Sequence, residues 1–355
     1  GSGRSNAAKA FAAALQCVDH GCGQCNACRT TLSGAHPDVT LVRTEALSIG
    51  VDEVRELVRR AAMNPVHGCH QVVVVEDADR ITERGADALL KAIEEPAPKT
   101  VWLLCAPTPE DVIVTIRSRC RRLHLATPRD EAVADLLTRR DGIAPEVAAE
   151  AARAGQGHIG RARRLAWDEE ARARRNAIGE LPTRLRSLGD CLQAAEDLVN
   201  QASEEAAAAT AEVNAAERAE LKKALGFGSS GARPRNAQAA LRDLEKQQSA
   251  RLKRLQRDAL DRVLTELTAY HRDVLAIQTG AVRPEEENAL RGARLVNAGW
   301  SASLHRIADS QSPEHTVATI DAILAARKSL EHGVTPLLVM ETLLIAMTGV
   351  DRARW

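Results

Sequence analysis

At 355 residues the chain exceeds what one compact core holds and predicts two or three domains. Lysine plus arginine and aspartate plus glutamate both number 48, so the net charge of zero excludes a globally basic nucleic-acid-binding surface while leaving room for local basic patches. Hydrophobic residues make up 45% but aromatics only 2%, so the core has to be built from Ala, Leu and Val, a mixture that favours helix–helix packing. No run of about 18 apolar residues exists, which excludes a membrane-spanning helix. Gly1 to Ala14 carries no basic region followed by a long apolar block, so no secretory signal is expected and the expected compartment is the cytoplasm. The chain does not begin with Met and reads as lacking its first residues.

The first segment alternates helices and strands. Gly3–Gln16 predicts an Ala-rich helix and Val39–Arg43 alternates like a strand. Val51, Val54, Leu57, Val58 and Ala61 recur at helical spacing, and the helix stops before Pro65. Val72–Val75 is a continuous β-branched run, the pattern of a strand buried on both faces. Arg84–Glu95 predicts a helix ended by Pro96, Val101–Cys105 a further apolar strand and Arg122–Leu125 a short last one. Strands separated by helices imply a parallel sheet covered on both sides, hence an α/β domain over residues 1–127.

After Thr127-Pro128 the strands cease. Arg129–Arg140, Pro145–Ala154 and His158–Trp167 predict three short helices, with turns at Asp141-Gly142 and Gly155-Gln156-Gly157, making a small helical domain over 128–180. From about Leu181 to residue 355 the pattern is all-α. Asp190–Leu225 and Ala237–Gln278 are long, Ala-rich and charged, with a flexible Gly226–Gly231 segment between them, and together predict a long helical hairpin over 190–278. Pro313–Leu330 and Pro336–Met347 are more apolar and predict firmly packed helices.

Eight cysteines are present, and without an export signal they stay reduced. Four of them crowd into Cys17-x4-Cys22-x2-Cys25-x2-Cys28, while Cys69, Cys105, Cys120 and Cys191 are scattered. Zinc takes four soft ligands in a tetrahedron, and CxxC turns place two sulfurs on one ion. Gly21 and Gly23 let the chain bend tightly there. With all four positions filled, no water site remains, so the predicted zinc is structural. His20 is the alternative to Cys17 if the short spacer cannot close the ring.

Gly1-Ser2-Gly3-Arg4-Ser5, running straight into a helix, looks like the second half of a phosphate-binding loop, GxxxxGK[ST], with Arg4 where a lysine would reach the phosphates. Val72–Val75 followed by Glu76-Asp77-Ala78-Asp79 resembles a Walker B strand with acids at its C-terminal end. The usual order is Asp then Glu. The reversed Glu76-Asp77 order shifts each carboxylate by about one methylene, a displacement that damages catalysis.

Ala88-Leu89-Leu90-Lys91-Ala92-Ile93-Glu94-Glu95-Pro96 and Ile116-Arg117-Ser118-Arg119-Cys120 follow in register. With these motifs the chain resembles the bacterial clamp-loader branch of AAA+ proteins, the subunits that serve DNA polymerase III. The likeness is strongest from Cys22 to Leu125 and weak from about Asp190 to Gln278. Val334–Glu341 resembles the closing helix of the family's collar domain. The resemblance implies an N-terminally truncated RecA-like AAA+ domain with its zinc module at 17–28, a helical lid and a helical collar that mediates oligomerisation.

Two kinds of subunit share that layout: motors that hydrolyse ATP and a rigid stator that does not. Several positions depart from the motor pattern: Arg4 replaces the lysine, Pro107 falls at the sensor-1 position, and Gly160 falls where a sensor-2 arginine would sit, with Arg161 beside it. The resemblance therefore implies a stator within a DNA-directed DNA polymerase holoenzyme, with no ATPase of its own. Gly3, Arg4, Ser5, Glu76 and Asp77 would form a degenerate nucleotide site in which ATP binding is vestigial.

Arg119 of the intact Ser-Arg-Cys motif would act in trans as an arginine finger on a neighbour's ATP. The local alternative is that Arg119 pairs with an acid such as Glu94. The implied partners are the motor subunits (gamma/tau) and the delta subunit, and, through the complex, the beta sliding clamp and primer-template DNA. Two other functions stay open on the sequence: an active motor ATPase in which Arg4 substitutes for lysine, and a zinc-dependent nucleic-acid module, which the neutral charge and scarce aromatics disfavour.

Overall fold

The computed structural model describes residues 3–44, 48–226, 237–282 and 295–348. The chain divides into two compact units, Gly1–Arg129 with Gly157–Gly160, and Asp130–Gln156 with Arg161–Trp355.

In the first unit the order is α1 (Arg4–Gln16), α2 (Asn26–Ser33), β1 (Val39–Val42), α3 (Val51–Ala61), β2 (Gln71–Val75), α4 (Glu83–Glu94), β3 (Thr100–Leu104) and α5 (Val114–Arg117). The strands form a parallel sheet in the order β1-β2-β3, with Val39 opposite Val72 and Val72 opposite Val101. Every residue of β2 is buried. Because side chains alternate along a strand, Val73 and Val75 face a core with Ile49, Val54, Leu57, Leu89 and Ile116, while Val72 and Val74 pack with Val39 and Ala12 of α1. The sheet is therefore covered on both sides, as the unbroken valine run implies.

Local chemistry sets the helix ends. In α3, Asp52 and Glu53 sit in the first turn and Arg59 and Arg60 in the last, complementing the helix dipole. Thr82 caps α4 by accepting from the Gly85 N–H at 3.2 Å. The Thr100 hydroxyl donates to the carbonyl of Ala61 at 2.7 Å and ties the end of α3 to β3. The buried Asp38 carboxylate accepts from the amides of Val66, His67 and Gly68 at 2.6–2.7 Å and anchors the loop that leads into β2. Burial pushes the Asp38 carboxyl up, but these three donors prevail and hold it below the usual carboxylate range.

The strand expected at Arg122–Leu125 is not formed. The segment joins no ladder among the described residues, and Leu123 stands 85% exposed. An alternating pattern alone does not make a strand when no sheet edge accepts its backbone.

The second unit is helical: α6 (Asp130–Asp141), α7 (Pro145–Gly155), α8 (Ile159–Trp167, begun in the first unit), α9 (Glu169–Arg184), α10 (Leu188–Ala224), α11 (Ala237–Gln278), α12 (Ser301–Ser310), α13 (Pro313–Glu331) and α14 (Pro336–Thr348). The sequence pattern missed α2 and most of α9, and covered α12 only as part of the all-α stretch from about Leu181. α10 and α11 run antiparallel as the expected hairpin: Arg262 donates to Glu205 at 2.6 Å, and further along Arg251 grips Glu217 through both terminal nitrogens at 3.0 and 2.8 Å. Of the Gly226–Gly231 segment read from the sequence as the connection, only Gly226 lies within the described residues.

Cys191 and Ala195 of α10, Leu260, Leu264 and Leu267 of α11, Ile323 of α13, and Met340 and Leu344 of α14 make the main core of this unit. On α11, Tyr270 and His271 are fully buried, and neither ring nitrogen of His271 has a hydrogen-bond partner among the described residues.

Two stability predictions follow from this packing. Leu89→Ala should lower the stability of the sheet unit by about 2–5 kcal/mol through lost burial and a residual cavity, read from hydrogen exchange of the β2 amides in the full chain; unaltered exchange would contradict this packing. Burial lowers the His271 pKa from 6.5 to about 4. The unfolded chain thus takes up a proton that the folded helix refuses, and stability should fall as pH drops from about 6.5 to about 4, by roughly 3 kcal/mol in total. His271→Phe should flatten that dependence in pH-resolved denaturation, and an equally steep profile would assign it elsewhere.

Candidate functional site

The cysteine module grows out of the end of α1. Cys17 follows the helix directly, Gly21 and Gly23 adopt the left-handed backbone (φ 107° and 76°) that the tight reversal needs, and Cys25 caps α2. Its sulfur accepts from the Cys28 amide, as the sulfur of Cys22 accepts from the Cys25 amide, each at 3.4 Å. The Cys17 sulfur lies 3.7 Å from those of both Cys22 and Cys25, and all four sulfurs are within 4.8 Å of one another.

A tetrahedral zinc with Zn–S bonds of about 2.3 Å has sulfur–sulfur edges of about 3.8 Å, so the donor set and its spacing fit that ion. His20 is not part of the group, so Cys17 is the fourth member. The N–H groups of Cys22 and Gly21 pull the Cys17 thiol down to about 6, whereas burial pushes Cys28 up to about 12. A divalent cation bound there would hold all four thiols deprotonated.

The second group lies at the C-terminal end of β2. Gly3 caps α1 in the left-handed conformation (φ 81°), and Arg4 and Ser5 open the helix. Gly1 and Ser2 lie outside the described residues. Glu76 and Asp77 leave the end of β2, where the Glu76 amide donates to the Val42 carbonyl at 3.0 Å.

The thiol of Cys105, just past β3, is pushed up by burial first and then by the negative charges of Glu76 and Asp77, with Arg4 opposing. These three charges therefore converge on one neighbourhood, although the loop and strand that carry them are far apart in sequence. Lys9 of α1 places its ammonium 2.8 Å from a Glu76 oxygen, and that carboxylate is only 11% exposed. A lysine cation thus already neutralises the first acid.

The sensor-like positions are placed as follows. Pro107 is exposed just after β3. Gly160 lies in α8 and Arg161 is ion-paired with Glu266 of α11.

The third group surrounds the Ser118-Arg119-Cys120 motif at the end of α5. Arg119 forms an ion pair through Nε with Glu94, the last residue of α4, and donates from Nη1 to the Thr115 carbonyl at 2.9 Å and the Ser118 hydroxyl at 3.3 Å. The pairing foreseen as the local alternative for Arg119 is thus present in the folded chain. Both side chains stay partly exposed, at 38% and 44%.

The sequence reading did not identify Lys9 as the partner of Glu76, nor Asp38 as the anchor of the 66–68 loop. No local motif marks either, because each contact joins segments brought together only by the sheet. Gln16 was passed over for the same reason; at the end of α1 it accepts from the Cys69 amide at 3.1 Å and donates to the His70 carbonyl at 2.5 Å.

Residues 1–129 match the family model described as DNA polymerase III, delta subunit. The chain is 35% identical over 147 residues to the DNA polymerase III subunit delta' of Haemophilus influenzae, covering 40% of this chain and 45% of that protein. It is 34% identical over 155 residues to the subunit delta' of Escherichia coli, covering 43% and 46%. The DNA polymerase III subunit gamma/tau of Mycobacterium bovis is 35% identical over 136 residues, covering 36% of this chain and 24% of that protein. The match thus spans under half the length of these curated relatives. No described helix is long and apolar enough to cross a membrane. Over residues 1–129, the stretch that carries the sheet and the cysteine module, the chain is similar to the delta family of DNA polymerase III subunits, and its listed relatives include delta-prime subunits.

Proposed function

We propose that the chain is the delta-prime stator of a cytoplasmic clamp loader, an AAA+ subunit that helps place the beta sliding clamp on primed DNA without hydrolysing ATP itself. In this reading residues 1–127 form the RecA-like domain, 128–180 the lid, and 181–355 the collar that joins the ring, with 190–278 as its elongated hairpin. The motor subunits (gamma/tau) and the delta subunit are its neighbours, and DNA is met through the complex, by contacts to backbone phosphates.

One observation carries the proposal: the ammonium of Lys9 sits on Glu76, the acid a hydrolysing subunit would use for Mg²⁺, while Arg4 stands at the phosphate-loop lysine position. A carboxylate compensated by a lysine 2.8 Å away has little remaining negative charge with which to hold a divalent ion. Gly3, Arg4, Ser5, Glu76 and Asp77 then outline a vestigial nucleotide site. Arg119 supplies its guanidinium to a neighbour's ATP, where it would stabilise charge on the phosphoryl group in flight. The likeness to gamma/tau supports one alternative, a motor ATPase, in which Arg4 and the Glu76-Asp77 pair would have to serve their own nucleotide.

The two readings part in two measurements. Calorimetric titration of the purified full-length chain with ATP and Mg²⁺ should show neither micromolar binding nor turnover; both together would establish the motor. Arg119→Ala should leave the reconstituted complex assembled and lower its ATPase by roughly 10³-fold or more, the range of arginine fingers acting in trans. Undiminished turnover would remove the finger role.

Cys17, Cys22, Cys25 and Cys28 are assigned to structural zinc, which would cross-link the end of α1 to α2. Metal analysis of the reduced protein should find about one zinc per chain. Cys28→Ser should release it and loosen α2 in hydrogen exchange, whereas a metal-free chain with α2 fully protected would refute the assignment.

A further inference from the structure

Arg119 is held at three of its five N–H groups. Nε–H meets Glu94, and the two Nη1 protons meet the Thr115 carbonyl at 2.9 Å and the Ser118 hydroxyl at 3.3 Å. No hydrogen bond to Nη2 is present among the described residues, so that nitrogen keeps both protons for an incoming acceptor. A free arginine side chain samples many rotamers, and a guanidinium tethered at its base and along one edge has few left to lose.

Glu94 occupies the last position of α4, one residue before Glu95 and two before Pro96. A carboxylate is disfavoured there, because the carbonyl end of a helix carries partial negative charge. The cationic group facing it is Arg119. The pair is partly exposed, at 38% and 44%, and exposed ion pairs contribute little to folding, so fold stability does not account for an acid at that place. The contact also joins the two motifs of the unit, the end of α4 and the end of α5, across 25 residues of sequence.

We propose that Glu94 is a positioning residue for Arg119: it holds the guanidinium by its Nε edge so that Nη2 is presented, pre-oriented, to a phosphate oxygen of a nucleotide on the neighbouring subunit. The inference rests on the finger reading of Arg119 given above. It adds that the acid and the arginine act as one unit and that the Thr115 carbonyl completes the cradle. The alternative for the same contact is a latch, in which Glu94 withholds Arg119 from the nucleotide. The bonding pattern favours positioning, because the contacts engage Nε and Nη1 and leave Nη2 without a hydrogen bond among the described residues.

The test is a mutant cycle in the reconstituted complex, using the full chain with its motor and delta subunits and measuring steady-state ATPase. Glu94→Ala should lower kcat by about 10- to 100-fold with KM for ATP changed less than about threefold, since a misplacement of roughly 1 Å costs on that order in rate. Glu94→Gln, which keeps an oxygen for Nε–H but not the charge, should recover a large part of that loss. In the Arg119→Ala background, Glu94→Ala should cost nothing further, because its only route to the reaction is gone.

Each other outcome has a distinct meaning. If Arg119→Ala itself leaves turnover unchanged, the finger reading fails and this inference with it. If Arg119→Ala is damaging but Glu94→Ala is neutral, or damaging by the same factor in both backgrounds, the positioning role fails while the finger stands. A rate increase on Glu94→Ala would establish the latch instead.

Discussion

The constraint on which the rest of the first unit depends is the complete burial of β2. A strand with no exposed residue has to be covered on both faces, and its alternating valines recruit different helices to each. One face takes α1, whose end leads directly into the cysteine module. The other takes α3, α4 and the segment that becomes α5, and so brings the end of α4 to the Ser-Arg-Cys motif. Because β2 is central in the order β1-β2-β3, its C-terminal end opens between two neighbours, and Glu76 and Asp77 emerge there with Cys105 beside them.

Two ion pairs then decide what these sites are able to do, and they differ in kind. The Lys9–Glu76 pair is largely shielded and neutralises the acid at the end of β2. The Arg119–Glu94 pair is open to solvent and leaves part of the guanidinium uncommitted. The first compensates the acid that leaves the end of β2. The second leaves the guanidinium partly exposed to solvent. Coulomb attraction is weaker in the more exposed pair, because water screens it.

The helical unit follows a different logic. With so few aromatics, its core relies on Leu, Met and Ala, and small alanines on α10 let the long helices approach closely. Beyond the apolar core the hairpin is held by polar contacts: Gln248 donates to the Asn214 carbonyl at 3.0 Å and Arg251 joins Asn214 and Glu217. Such a seam is specific in register because a shift of one turn would leave buried donors unpaired. It is the means by which helices of 37 and 42 residues stay aligned away from the main core.

The sequence by itself determined whatever depends on near neighbours along the chain. The valine run of β2, the helical spacing of Val54, Leu57 and Ala61, the doubled CxxC with its two glycines and the length of the hairpin are all written in short windows, where period and turn chemistry act directly. It failed at Arg122–Leu125, where an alternating pattern had no sheet edge to join, and at α2, whose polar, cysteine-containing stretch has no apolar stripe to announce it. Only the tertiary structure decided that Cys17 rather than His20 completes the sulfur group, that Lys9 meets Glu76 and that Glu94 holds Arg119. Those contacts join side chains whose separation is set by how α1, α4 and α5 pack on one strand, and charge attraction over a few ångströms leaves no periodic signature in the residues that make it.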